Sequence, residues 1–294
     1  MNIPIALRSR NRTPLLDVTL RSVLSTKLPE GFELLILDDC SPDPITQQYL
    51  FTDDTIVLPE PFTWLTGPPW YSYMGKIQDI PQIQGIKSVV EVVQPESRKG
   101  VRGGIFWCVD YMMTRYPDAP AVIVTEADAV FHEDWYDALI NGYEVLKEKP
   151  GPNGDTLGIL TCYDRKGKCG KNQTGYGAFH RSVSRKGKTN IWSCACGIGG
   201  VNYLLTRSFY EAAIGSFKAT YNPGQRSGDT TLQGVCGAAK FNIGVTAPSF
   251  CQHIGAESLA WPGKGWRYTK NFRKPFAFEA FDDEGWAYSQ TWKS

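Results

Sequence analysis

The sequence predicts an α/β fold in a single domain, with a doubly wound, mixed sheet. Apolar runs of strand length alternate with segments of helical periodicity, and two of the runs, "LLILDD" and "AVIVTEAD", end directly in acids. No repeat, low-complexity tract or obvious linker interrupts this order. Such alternation is typical of a sheet with helices on both faces, whose ligand sites lie at the carboxyl ends of the strands.

The N-terminal region reads as strand, helix and strand. "IPIAL" is the first predicted strand, and Thr13 is the predicted N-cap of the helix that follows, with a proline at the first helical position. Leu16, Leu20 and Val23 recur at helical spacing. The second strand, "FELLIL", runs into two acids, and the order implies a right-handed crossover between parallel strands.

The later elements follow in the same way. Strands are predicted at 86–94 (which could also be drawn as a helix), in "AVIVT" and in "TLGILTC", and helices in "VRGGIFWCVDYMMTRY" and "EDWYDALINGYEVLKE". Further on, "CGIGGVNYLLTRSFYEA" predicts a glycine turn leading into a helix and "GDTTLQGVCGAAK" another helix. "VTAPSFCQHIG" predicts one strand ending at His253, residues 52–84 resist assignment, and the tail from Trp261 is aromatic and turn-like.

Composition narrows the class of protein. A net charge of +1 argues against a protein that coats nucleic acid or anionic membrane over its whole surface. The start lacks a basic region followed by an apolar one, and no window approaches the roughly 18 apolar residues of a membrane span. We therefore expect a cytoplasmic protein, with its eight cysteines reduced.

Acids follow two of the predicted strands. Asp39 can accept hydrogen bonds from a nucleobase or a ribose at the ligand edge, or it can serve the turn that "DCSPD" predicts. Glu126 and Asp128 lie two residues apart, so on a strand they would share one face. They could hold a divalent cation, act as a general acid and base, or cap the strand end.

Two later residues have both a structural and a chemical interpretation. His253 could be a metal ligand or a hydrogen-bonded structural histidine. Asp229, in "SGDTTL", could be a catalytic carboxylate or the N-cap of the predicted helix.

Taken together, these segments resemble the family 2 type inverting glycosyltransferases of the GT-A fold, which is Rossmann-like. The resemblance rests on "IPIALRSRNR" with "LLILDDCSPD", on "PAVIVTEADAVFHEDW", and on "CGIGGVNYLLTR", "GDTTL" and "QHIG". It covers residues 3–50 and 98–145 well, and 194–255 more loosely. It implies a donor half at 1–130, an acceptor half at 131–262 and an aromatic tail at 263–294.

The resemblance implies transfer of a sugar from a nucleotide-sugar, with UDP expected, to an acceptor hydroxyl, with inversion. It assigns the residues as follows: Ser9, Asn11 and Asp39 to the uracil pocket, Glu126 to the ribose or metal, Asp128 and His253 to Mn2+ or Mg2+, and Asp229 to the general base. Arg102, near a predicted helix N-terminus, is a candidate for contact with the diphosphate, or part of a solvated loop. Glu126 stands where the family's element begins with Asp, and "GD" replaces the commoner "ED" before the base.

The acceptor is less defined. Residues 164–190, called the basic segment below, hold eight Lys/Arg and one acid. Four of its cations, Lys166, Lys168, Arg185 and Lys188, would suit a phosphate-rich acceptor such as modified DNA, a lid over the diphosphate, or a solvated surface. Trp261 and the aromatic tail would suit a glycan acceptor or ordinary packing.

Two other classes of protein fit parts of the pattern. One is a non-catalytic module that binds nucleotide-sugars or glycans; intact Asp39, Asp128, Asp229 and His253 favour an enzyme instead. The other is a nucleotidyltransferase, but "LRSRNRTP" stands where its glycine-rich loop would follow the first strand.

Overall fold

A computed structural model of the chain describes residues 2–10, 13–24, 26–41, 90–151, 154–163, 180–186, 189–194, 200–219, 228–247, 249–253, 271–273 and 286–288. The strands are β1 Ile5–Ser9, β2 Leu34–Asp38, β3 Val90–Val93, β4 Ala121–Glu126, β5 Ala129–Phe131, β6 Thr156–Thr161, β7 His180–Lys186, β8 Thr189–Cys194, β9 Asn202–Thr206, β10 Phe241–Ala247, β11 Cys251–His253, β12 Asn271–Arg273 and β13 Trp286–Tyr288. The helices are α1 Thr13–Leu24, α2 Gly100–Arg115, α3 Trp135–Leu146, α4 Arg207–Ala219 and α5 Gly228–Ala238.

Nine of these strands form one mixed sheet in the order β3-β2-β1-β4-β9-β6-β10-β8-β7. Strands β1 to β4 run parallel to one another. Strand β9 lies antiparallel between β4 and β6, β10 runs parallel to β6, and β7 and β8 form an antiparallel edge pair. The predicted fold class, an α/β fold with a doubly wound mixed sheet, is confirmed.

Two apolar layers cover the two faces of the sheet. Helices α1 and α3 pack on one face, around the side chains of Leu20, Trp135 and Leu139. Helices α2, α4 and α5 pack on the other, around Phe106, Phe209 and Leu232. Alternate residues of β1 supply both layers, which places the end of that strand between them.

Three sequence predictions of secondary structure need correction. Residues 202–206 form strand β9, so the helix predicted there begins only at Arg207. The single strand predicted to end at His253 is two strands, β10 and β11. Strands β7 and β8 lie at and just after the end of the basic segment, where no strand was predicted, because "HRSVSRK" and "TNIWSC" lack the unbroken apolar pattern of a core strand.

Helix α2 is fixed at its C-terminal end by an arginine from the start of α4. The Arg207 guanidinium donates to the carbonyls of Met113 (3.1 Å) and Tyr116 (2.6 Å) and, through Nε, to that of Ala119 (2.8 Å). The Met113 and Tyr116 carbonyls lie at the end of α2, where a helix leaves carbonyls without intrahelical donors, and that of Ala119 lies in the connection to β4. The contacts tie the end of α2, and the connection that follows it, to the start of α4.

Gly158 of β6 is closely packed against residues of α4, α5 and β10. A Cβ on Gly158 would lie 2.7 Å from Cβ of Phe241, 3.0 Å from Sγ of Cys236 and 3.2 Å from Cγ of Phe209. Burial raises the pKa of the Cys236 thiol to about 12, and that of Cys108 on α2 also to about 12. Both thiols therefore behave as small apolar groups.

Within the part of the chain that the structure describes, no helix combines the length and the apolar character that crossing a membrane requires.

Candidate active site

The candidate site lies where β1, β2 and β4 end. In the parallel register, Ser9 is opposite Asp38 and Arg8 is opposite Glu126. Four other segments contact the same edge: the first turns of α2 and α5, the start of β9, and strand β11. Because carboxyl ends of parallel strands meet at one edge, the acids predicted from separate segments come together.

The two acids that end β2 have different partners. The Asp38 carboxylate accepts from Ser41 N (2.9 Å), Ser41 Oγ (2.5 Å) and Gln94 Nε2 (2.7 Å), so it shapes the turn after β2. The Asp39 carboxylate accepts from the backbone N–H of Lys99 (2.5 Å) and of Gly100 (2.8 Å). Asp39 thus caps helix α2, which lies 60 residues along the chain.

Three side chains converge just beyond β4. Ligand atoms of Glu126, Asp128 and His253 all lie within 4.8 Å of one another. The Asp128 carboxylate is 1% exposed, and its Oδ2 lies 3.1 Å from Nε2 of His253. A buried carboxylate requires a cationic or hydrogen-bonding partner. The imidazole can be that partner, and the two carboxylates and the imidazole together can also bind a metal cation.

The convergence arises from a turn and not from strand alternation. Strand β4 ends at Glu126, and Ala127 and Asp128 form a turn into β5, so the prediction that the two acids share a strand face is wrong in its geometry. Antiparallel pairing of β5 with β11 sets His253 opposite Ala129. The other edge of β5 is held by α1, because Ala129 N donates to the Thr19 hydroxyl (3.0 Å).

An arginine that sequence reasoning did not single out lies among these acids. Arg8 donates to Glu126 through Nη2 and to the carbonyl of Val101 through Nη1 (2.7 Å). Its side chain is only 12% exposed. Burial by itself would lower the pKa of Arg8, but Glu126, followed by Cys108 and Tyr203, raises it above the ordinary value. The signal in the sequence was a charged residue inside an otherwise buried strand, "IALRS".

Asp229 lies in the first turn of α5 and is half-buried. A Cβ on Gly200 would lie 3.8 Å from the Asp229 Cγ. The next residue, Val201, accepts a hydrogen bond from Glu126 N (2.8 Å). Asp229 therefore lies beside the backbone that enters β9, and that backbone is hydrogen-bonded to Glu126.

The other predicted site residues are distributed as follows. Ser9 is buried at the end of β1, and its hydroxyl has no hydrogen-bond partner among the described residues. Arg102 lies in the first turn of α2 and is half-buried. Asn11, Lys166, Lys168, Lys188 and Trp261 lie outside the described residues.

Arg185 lies on the edge strand β7, near its carboxyl end. Since β7, β10, β6 and β4 run in the same direction, this end of β7 lies along the same edge of the sheet as Glu126. Five strand spacings separate β7 from β4, which corresponds to about 24 Å measured along the sheet. The Arg185 position is thus at the same end of the strands as the candidate site, but it is well separated from Glu126, Asp128 and His253.

A second group of potential metal ligands, His132, Glu133 and Asp134, precedes α3. Lys27 Nζ lies 3.2 Å from the Glu133 carboxylate and 2.9 Å from that of Asp134. The His132 ring nitrogen Nδ1 accepts from Asp134 N (3.0 Å). Lys27 therefore lies within ion-pairing distance of both carboxylates of this group.

No protein-family profile matches the sequence, and no curated protein matches it. Several solved structures match the fold. The mannosyltransferase PcManGT from Pyrobaculum calidifontis, in complex with GDP-Man and Mn2+, is 14% identical with a TM-score of 0.39, over 71% of this chain and 46% of that one. S. aureus TarS 1-349 is 12% identical with a TM-score of 0.40, over 92% and 60%. GalNAc-T7 with UDP, GalNAc and Mn2+ is 14% identical with a TM-score of 0.46, over 90% and 45%.

These matches cover most of this chain, and the chain spans about half the length of the solved structures it matches. With identities of 12–14% and TM-scores below 0.5, the likeness carries no conclusion about what this chain binds or does.

Proposed function

We propose that this chain is an inverting glycosyltransferase that moves a sugar from a nucleotide-sugar, with UDP as the expected nucleotide, to an acceptor hydroxyl with the help of Mn2+ or Mg2+. The observation that supports it most directly is the convergence of Glu126, Asp128 and His253 at the carboxyl edge of parallel strands. The resemblance of the sequence segments to the family 2 type enzymes supports the same proposal. Residues 1–294 would then form one GT-A-like domain.

The residues around Asp128 fit a divalent cation. Carboxylate oxygens and an imidazole nitrogen are donors that Mn2+ accepts, and Mg2+ is commonly held by one or two carboxylates together with phosphate oxygens. The burial of Asp128 gives its negative charge a strong preference for a nearby cation. Asp128 and His253 would hold the ion, which, when bound, would offset the charge of the donor diphosphate.

The chain's own groups would carry the remaining tasks. Asp39, Ser9 and Asn11 would bind the nucleobase, and Arg102 would contact the diphosphate. Asp229 would accept the proton of the acceptor hydroxyl as its oxygen attacks the anomeric carbon. The nucleoside diphosphate leaves from the opposite face, so a single displacement inverts that carbon.

The proposal is tested by thermal unfolding of the chain with a panel of nucleotide-sugars, with and without Mn2+. A ligand present at 100 times its Kd stabilises the folded state by about 2.7 kcal/mol, which is readily measured. We expect stabilisation by a UDP-sugar together with Mn2+, and its loss in Asp128→Asn. No stabilisation by any nucleotide-sugar, or the same stabilisation in Asp128→Asn, would contradict the proposed donor site.

The general base is tested separately from donor binding. Asp229→Asn should retain the stabilisation by donor and Mn2+ but lose transfer, because an amide cannot accept the acceptor's proton at neutral pH. Near-wild-type transfer by this variant would exclude Asp229 as the base. Loss of transfer, with donor binding retained, also separates an enzyme from a non-catalytic binding module.

Two kinds of acceptor fit, a glycan and a modified nucleic acid base. The basic segment supports the second, and Arg185 lies along the same edge of the sheet as Glu126. Neutralising its four cations named above should weaken binding of a DNA duplex and flatten the salt dependence of that binding. A matched variant that neutralises four cations outside the basic segment, Arg115, Lys147, Lys149 and Lys240, serves as control. Equal binding by the two variants would favour a glycan acceptor.

A further inference from the structure

Glu126 can either bind a metal cation together with Asp128 and His253 or pair with Arg8. Its carboxylate belongs to the group of ligand atoms that lie within 4.8 Å of one another, together with Asp128 and His253. The same carboxylate accepts a hydrogen bond from Arg8. A carboxylate already paired with a guanidinium is a weaker metal ligand than one without a cation beside it.

The pairing of Arg8 with Glu126 is built into the sheet. The two residues are opposite each other in the parallel register of β1 and β4, so their side chains leave the same face of neighbouring strands. The second arm of the guanidinium is held by the carbonyl of Val101, in the first turn of α2. With the Arg8 side chain 12% exposed and the Glu126 side chain 24% exposed, solvent screens the pair only partly.

Helix α2 packs beside this arginine at Gly104. A Cβ on Gly104 would lie 3.4 Å from Nη1 and 3.8 Å from Cδ of Arg8, and 3.9 Å from Oδ2 of Asp39. The Arg8 guanidinium and the Asp39 carboxylate therefore both lie beside Gly104 of α2. The position of the guanidinium is fixed by strand register, by a backbone carbonyl and by the packing of α2.

We infer that Arg8 is a positioning residue that keeps Glu126 as its counter-ion and out of the set of metal ligands. A divalent cation at this edge would then be held by Asp128 and His253 alone among these residues, leaving its other positions to water and to the donor's phosphates. This inference rests on the proposed function, because it concerns the cation proposed there. Of the two acids in "TEAD", Glu126 would then be the counter-ion of Arg8, and Asp128 would be a metal ligand.

The test measures Mn2+ binding to the full chain by electron paramagnetic resonance of the free ion, without nucleotide. Glu126→Gln should leave the Kd for Mn2+ within about twofold of wild type, whereas Asp128→Asn should weaken it about tenfold or more, as loss of a group that holds a metal does. Arg8→Met should tighten Mn2+ binding, because Glu126 becomes available. That gain should disappear in the double variant Arg8→Met/Glu126→Gln. If Glu126→Gln weakens Mn2+ binding as much as Asp128→Asn does, Glu126 is a direct ligand and the inference is wrong.

A second measurement covers the case in which Arg8→Met folds poorly or the wild type binds no Mn2+. In urea unfolding, Arg8→Met should lower the midpoint, and the added Glu126→Gln should recover part of the loss, because a half-buried carboxylate is no longer left without its cation. Arg8→Lys, which keeps the charge, should lose less. Additive losses would overturn the role of Arg8 as counter-ion. If the wild type binds no Mn2+ but the unfolding losses of Arg8→Met and Glu126→Gln are non-additive, Arg8 is the counter-ion of Glu126 and the metal of the proposed function is refuted.

Discussion

Replacement of Asp39 separates its contribution to the fold from its proposed role in donor binding. Asp39 is 5% exposed, and its carboxylate accepts from two backbone N–H groups at the start of α2. Loss of a capping side chain costs about 1 to 2 kcal/mol, and loss of a negative charge at a helix N-terminus about 1 kcal/mol more when the site is partly buried. We therefore expect Asp39→Ala to lower the free energy of unfolding by about 2–3 kcal/mol.

Asp39→Asn provides an intermediate case. The amide keeps one acceptor oxygen but places an NH2 group against the second backbone N–H, and it removes the charge. Asp39→Asn should therefore lower the free energy of unfolding by about half as much as Asp39→Ala does. Urea unfolding followed by circular dichroism measures both, provided that the slope of the free energy against urea stays constant.

Asp134 supplies the matched control. It is at the N-cap position of α3, but its side chain makes no capping hydrogen bond there, and its partner Lys27 has an exposed side chain. Asp134→Ala should cost less than about 1 kcal/mol, as exposed ion pairs do. If Asp39→Ala costs no more than Asp134→Ala, Asp39 does not cap α2. If it costs 2–3 kcal/mol but leaves the UDP-sugar stabilisation unchanged, Asp39 is a cap and not a donor ligand.

Three further predictions concern packing and ionisation. Arg207→Ala should lower the free energy of unfolding by about 2–3 kcal/mol in urea, because three carbonyls lose a charged donor. Gly158→Ala should cost about 1–3 kcal/mol by overpacking, while Gly215→Ala, where nothing lies within 4 Å of the added Cβ in α4, should stabilise by about 0.5–1 kcal/mol. The thiols of Cys108 and Cys236 have raised pKa values of about 12, so the stability that they contribute is complete below pH 9 and declines above it, by about 1.4 kcal/mol per pH unit for each thiol.

The controls for these three predictions are direct. Arg207→Lys keeps the charge and should lose less than Arg207→Ala; equal losses would mean that the hydrogen-bond geometry is unimportant. Equal effects of Gly158→Ala and Gly215→Ala would contradict the close packing around Gly158. In Cys236→Ala, the decline of stability between pH 9 and pH 11 should become shallower than in the wild type, and an unchanged slope would refute the assignment.

Much of the fold was accessible from the sequence because its parallel half has long apolar runs and regular helices. The strands around Ile36 and Ile123 and the helix around Val109 were predicted, since burial on both faces leaves an unbroken apolar pattern. The five-residue strand that contains Leu204 was interpreted as a helix because such a short apolar run followed by "RSFYEA" fits either period.

The acids of the site were predicted, but their partners were not. Asp39 could be interpreted locally as a turn residue or a ligand, whereas its hydrogen bonds run to a helix 60 residues further along the chain. The contact between Arg8 and Glu126 depends on the register of two strands, and no local pattern specifies that register. Likewise Thr19 was one polar position on a helix, and only the packing of α1 shows that its hydroxyl holds β5.

The separation of Arg8 and Glu126 along the chain has a consequence for synthesis on the ribosome. The two residues are 118 positions apart, so at 5–20 residues per second a nascent chain exposes Arg8 for about 6–24 s before its carboxylate has been made. During that interval, docking β1 into a core would bury a cation without its anion, which is strongly unfavourable. We therefore expect the edge of the sheet that carries the candidate site to close late, when β4 arrives.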